Sequence, residues 1–70
     1  MNHSNLKFFF AIHRDSATAT ALPFQTWEDT QNAFRFGIEL PNGKLANGIG
    51  RCRDRDDFTC RARQSGFHVV

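Results

Sequence analysis

Cys52, Cys60 and His68 follow one another with seven residues in each gap, and both cysteines lie within RCRDRDDFTCRAR at 51–63. Thiols and imidazole are zinc ligands, so a metal centre is the first chemistry to weigh. Structural zinc sites draw four ligands, usually from pairs about two to four residues apart. No such pair occurs here, and a fourth ligand would have to come from His3, His13 or an aspartate. The spacing argues against a metal, and no cofactor is expected. The same stretch carries five arginines and three aspartates. It can serve as an anion-binding surface for nucleic-acid phosphate or an acidic protein, or as a solvated face neutralised by Glu39, Asp56 and Asp57. Three histidines (His3, His13, His68) and three serines (Ser4, Ser16, Ser65) stand in no nucleophile-elbow, phosphate-loop or metalloprotease spacing. A chain this short also has little room to enclose a substrate pocket. A non-enzyme is expected.

The elements that position these residues follow from hydrophobic period. Leu6, Phe8, Phe10 and Ile12 share one parity, and Lys7, Phe9, Ala11 and His13 the other, which predicts a strand ended by Asp15-Ser16. SATATALPF at 16–24 reads either as a second strand or as an extended connection. Thr26 can cap a helix whose first turn holds Glu28 and Asp29. Trp27, Thr30 or Gln31, and Phe34 share a stripe, so one short helix is expected at about 26–34. Phe34, Phe36, Ile38 and Leu40 then alternate with Arg35, Gly37 and Glu39, predicting a strand. Pro41-Asn42-Gly43 is a turn signal, with Gly43 suited to a left-handed position. A hairpin of 34–40 with 44–53 follows, with Phe36 over Gly48 and Phe34 over Gly50.

Phe58, Cys60 and Ala62 alternate with Thr59, Arg61 and Arg63, which predicts a further strand, with a loop at 55–57. Cys52 would then oppose Cys60, as two buried thiols, since unpaired cysteine is among the most buried residue types, or as a cross-strand disulfide in an oxidised sample. Arg51 would oppose Arg61, Arg53 would lie beside Thr59 and Arg63 near Ile49, and Arg35 would join them from the neighbouring strand. Arg35, Arg51, Arg53, Arg61 and Arg63 are thus the candidate partner- or anion-binding residues. Phe9 and Ala11 occupy the second face of the first strand. They form either an apolar interface, including a homodimer surface, or the floor beneath a helix packed through Trp27. Gln64-Ser65-Gly66 is a turn signal, and Phe67–Val70 is expected to be a terminal edge strand.

Composition bounds the rest. Seventy residues make one domain, 1–70, with 40% hydrophobic and 23% charged residues, a globular balance. Eight Phe, one Trp and no Tyr point to rings used mainly as core. A net charge of +2 is too mild to imply nucleic acid by itself. The apolar run Phe8–Ile12 is shorter than the roughly 7–15 residues of a secretory core and the roughly 18 of a membrane span. A cytoplasmic setting without membrane contact is expected, with reduced cysteines.

LPFQTWEDTQNAFRFGIELPNGKLANGIGRCR, through its pattern TW…F.FG..LP.GK.ANG.GRCR, resembles short uncharacterised proteins of enterobacterial prophages and phage satellites. The resemblance covers the middle half of the chain and carries no active-site residues. It implies a bacterial cytoplasmic setting and a protein that binds and inhibits or redirects a larger host or phage protein. The expectation is therefore a small single α+β domain, with a mostly antiparallel sheet of three to five strands and one short helix. Its function would be non-enzymatic binding of a protein, with a nucleic-acid-binding accessory role through the arginines as the alternative.

Overall fold

The computed structural model describes residues 6–70, which form one small α+β domain with a four-stranded mixed sheet and two helices. His3 and Ser4, weighed above as ligand and nucleophile, lie outside the described residues. The elements are β1 (Phe8–His13), β2 (Thr18–Ala21), α1 (Trp27–Phe36), β3 (Gly48–Cys52), α2 (Arg55–Gln64) and β4 (His68–Val69). The sheet order is β3-β1-β2-β4. β1 is antiparallel to both of its neighbours, and β4 lies parallel to β2 as a terminal edge strand. Among the described residues no helix is long and apolar enough to cross a membrane.

β2, β3 and β4 all run opposite to β1, so two connections must be crossovers. α1 carries the chain from β2 across β1 to β3, and α2 carries it back across β1 and β2 to β4. Crossovers between parallel strands are overwhelmingly right-handed. Two crossovers of one hand that travel in opposite directions place their helices on opposite faces of the sheet. Side chains of β1 register this directly. Phe9 meets Trp27 of α1, with ring centroids 5.8 Å apart. Phe8 and Phe10, of the other parity, meet Phe58 of α2 at 5.5 and 5.1 Å. Phe9 and Ala11 are thus buried beneath α1, while Ala19, Cys52, Phe58 and Ala62 form the core under α2.

α1 begins where expected. The Thr26 hydroxyl accepts from the Asp29 amide at 3.0 Å, and Glu28 and Asp29 occupy the positive end. The helix nevertheless runs through Phe36, two residues beyond the expected end, so 34–36 do not form a strand. Gly37 then takes φ +114°, a conformation that side-chain-bearing residues rarely adopt, and redirects the chain. Only the tip of the expected hairpin remains. Pro41-Asn42-Gly43 turns as predicted, with Gly43 at φ +84° and its amide donating to the Leu40 carbonyl at 2.9 Å. Glu39 bridges Leu45, and Leu40 donates to the Lys44 carbonyl at 2.8 Å.

β3 therefore pairs with β1 rather than with 34–40, in the register Phe10↔Gly50 and Ile12↔Gly48. Rings do cover its glycines, as expected in kind, but the ring is Phe10. A Cβ on Gly50 would lie 2.5 Å from the Phe10 Cζ, so any side chain there would displace the Phe10 ring.

The largest departure is α2. Residues 58–63, expected as a strand, lie within a helix that Asp54 starts, its carboxylate accepting from the Asp57 amide at 2.8 Å. Asp56 and Asp57 complement the positive end, and Arg61 and Arg63 sit in the last turn. The helix ends in a Schellman motif. Gly66, at φ +80°, donates to the Arg63 carbonyl at 3.0 Å, and Phe67 donates to the Ala62 carbonyl at 2.8 Å. Asp54 is a helix cap rather than a hairpin residue, so Asp54→Ala removes a capping bond. The melting temperature should fall by roughly 4–8 °C, as for the loss of about 1 kcal/mol in a domain of this size. An unchanged melt would contradict the cap.

Candidate functional site

Because β3 ends at Cys52 and α2 begins at Arg55, the arginines do not share a sheet face. Arg51 projects on the α1 side, its guanidinium carbon 4.9 Å from the centre of the Trp27 ring. Such a contact contributes about 0.5–1 kcal/mol at an exposed position. Arg35 lies in the last turn of α1, and Arg63 in the last turn of α2, both exposed. Arg53 and Arg61 are drawn together on one carboxylate. The Arg53 amide donates to Asp57 Oδ2 at 3.0 Å, with its Nε 3.7 Å away, and the Arg61 Nε donates to Asp57 Oδ1 at 3.0 Å. The expected pairing of Arg51 with Arg61 does not occur. In place of a fivefold face, Arg53 and Arg61 share Asp57, Arg51 lies on Trp27, and Arg35 and Arg63 sit at the ends of different helices.

Asp57 ties the end of β3 to α2. Its side chain is only 10% exposed. The Arg53 amide, followed by the Arg61 side chain, holds its carboxyl below the usual aspartate range, against the opposing effect of burial. The charge-assisted bond raises the Arg61 guanidinium in turn.

The cysteines separate as well. Cys52 is buried and its thiol is pushed up, first by desolvation. Cys60 is exposed on α2 rather than opposite Cys52. Among the described residues no three His, Cys, Asp or Glu side chains are grouped to hold a metal ion. His13 is occupied locally. Its Nδ1 lies 2.7 Å from Ser16 Oγ and accepts from the Ser16 amide at 3.2 Å, closing the β1–β2 turn in which Ala17 takes φ +51°. Ser16 and Asn42 both contact the Thr18 hydroxyl, at 2.8 and 3.2 Å, so this polar cluster joins the turn to the 38–46 loop.

Phe9 and Ala11, a candidate interface, are 4% and 0% exposed. The cover is α1 through Trp27, the other arrangement weighed for this face. An exposed apolar surface lies elsewhere and was not expected. Phe36 is 94% exposed and Leu45 63%. A Cβ on the intervening Gly37 would lie 3.8 Å from Leu45 Cδ2, so the glycine brings the hairpin tip against the end of α1. Arg35 and Lys44, also exposed, flank the two apolar residues in sequence. Extending the Trp27–Phe34 helical stripe by two residues would have turned Phe36 outward, but strand alternation from residue 34 masks that signal.

Fold and site together define a small α+β domain in which Phe36 and Leu45 stand exposed. Compared with known proteins, the chain matches no family model, no curated protein and no solved structure.

The Asp57 linkage has a definite sign. A carboxyl whose folded pKa is depressed stabilises the fold above its unfolded value, and that contribution is lost as pH falls through the folded value. Below about pH 4 the wild-type melting temperature should therefore fall. Asp57→Asn should melt lower at neutral pH, and the gap to wild type should narrow on acidification. A gap that stays constant from pH 7 to pH 2.5, in thermal melts followed by circular dichroism, would contradict the linkage.

Proposed function

We propose that this chain is a non-enzymatic protein-binding domain that modulates or inhibits a larger protein, contacting it through Phe36 and Leu45. One observation carries this reading. Of eight Phe residues, seven are buried or partly buried, and Phe36 alone stands in solvent. Burying a side chain of this size contributes about 1.5–3 kcal/mol, and aromatic anchors dominate binding hot spots. In a domain whose core supplies only about 3–5 kcal/mol, leaving such a ring outside forgoes a large fraction of the available stability. Arg35 and Lys44 favour a partner surface with acidic groups around an apolar depression. The resemblance to prophage and phage-satellite proteins fits a bacterial host or phage protein as the partner. Nucleic-acid binding is less well supported, because the arginines divide between the two sides of the sheet and Asp57 engages two of them.

Pull-downs from nuclease-treated bacterial lysate should recover a defined protein with the wild-type chain and lose it with Phe36→Ser combined with Leu45→Ser. Both residues are exposed, so the double variant should fold and melt close to wild type. The same recovery by the double variant would overturn the reading, as would recovery that disappears on nuclease treatment. A dimer that the two substitutions dissociate would make the partner a second copy of the chain.

A further inference from the structure

On the opposite face of the sheet, a half-open cleft of about 200 Å³ lies between β1 and α2. Its walls include Phe10, Ile12, Phe58 and Phe67, and the exposed Arg14 and Arg61 also line it. A cavity of about 150 Å³ lined by aliphatic and aromatic side chains can hold benzene, so this one has room for a ring with a short substituent.

Charge selects what that substituent is. Arg61 is engaged by Asp57 through Nε. Arg14 makes no ion pair among the described residues, and its guanidinium lies back toward β3, with Nη2 3.5 Å from where a Cβ on Gly48 would stand. Of the two guanidiniums that line the mouth, Arg61 is already held by Asp57, so Arg14 is the one left to meet an anion, which suits a single carboxylate. The end of α2 does not oppose an anion with free carbonyls, because the carbonyls of Arg61, Ala62 and Arg63 accept the amides of Ser65, Gly66 and Phe67. An extended peptide has no ladder to join at the neighbouring β2 edge. The Ala17 and Ala19 carbonyls there already accept from His68 and Val70 at 2.7 and 2.8 Å.

We infer that this cleft binds a small free monocarboxylic acid with a compact apolar body, such as an aryl or short-chain acid, the body against Phe10, Ile12 and Phe67 and the carboxylate on Arg14. The site is separate from the Phe36–Leu45 surface and does not rest on its role.

The test is a ¹H–¹⁵N titration of the full chain with 3-phenylpropanoate, 3-phenylpropanamide, hexanoate, inorganic phosphate and an acetylated Phe-Glu dipeptide amide. The acids should give saturable shifts at Ile12, Ala19 and Phe67. The neutral amide should bind about tenfold more weakly, the loss expected for one charge-assisted hydrogen bond. Arg14→Gln should weaken the acid by a similar factor while leaving amide binding and spectral dispersion unchanged. Equal affinity for acid and amide would overturn the assignment, as would an acid affinity that Arg14→Gln leaves unaltered. Saturation of the same residues by phosphate as readily as by the acids would overturn it too. So would shifts confined to Phe36 and Leu45, the absence of saturable shifts, or saturation by the dipeptide alone.

Discussion

β1 is packed on both faces, and the rest of the domain depends on that. A strand in the middle of a small sheet can leave one face to water, but here Phe9 and Ala11 lie beneath α1 while Phe8, Phe10 and Ile12 lie toward α2. The demand arises from topology, since two same-handed crossovers running in opposite directions must cover opposite faces. Phe58 completes the arrangement from the far side, fully buried between Phe8 and Phe10. With so little core available to seventy residues, one strand that serves two layers is an efficient use of three consecutive phenylalanines.

The same packing divides the surface chemistry. Glycines at 48 and 50 let Ile12 and Phe10 lie flat over β3, and the chain then leaves the sheet at Cys52 to start α2. Arginines close in sequence are thereby sent to different places. Arg51 covers Trp27 on one side, while Arg53 and Arg61 converge on Asp57 at the strand–helix junction. Their density along the chain reflects a strand, a cap and a helix in succession rather than one anion-binding face. Among the described residues, Phe36 and Leu45 stand exposed on the α1 side, and the apolar cleft lined by Arg14 and Arg61 lies on the α2 side.

Much of this was legible from residue type alone where one period stood without a competitor. β1 alternates cleanly, Thr26 caps α1, Pro41-Asn42-Gly43 turns, and the last residues form an edge strand. The α+β class follows from those elements. α2 was hidden because Phe58, Cys60 and Ala62 satisfy a strand period, while Phe58 and Ala62 alone satisfy a helical one, and six residues cannot separate the two. The cues that decide it were local: Asp54 three residues before Asp57, Asp57 four before Arg61, and Gly66 just past the end. Two of the expected site features fell with that element, the opposed cysteines and the shared arginine face. Phe36 was misplaced for the related reason that the helical and strand patterns overlap at 34–36.

The central claim is that RCRDRDDFTCRAR is a strand, a cap and a helix whose Phe58 seals one face of β1. Backbone chemical shifts and nuclear Overhauser contacts of the full chain test it most directly. Residues 55–64 should show helical Cα shifts, with contacts from the Phe58 ring to those of Phe8 and Phe10. Strand-type shifts over 58–63, with a cross-strand Hα–Hα contact between Cys52 and Cys60, would contradict it.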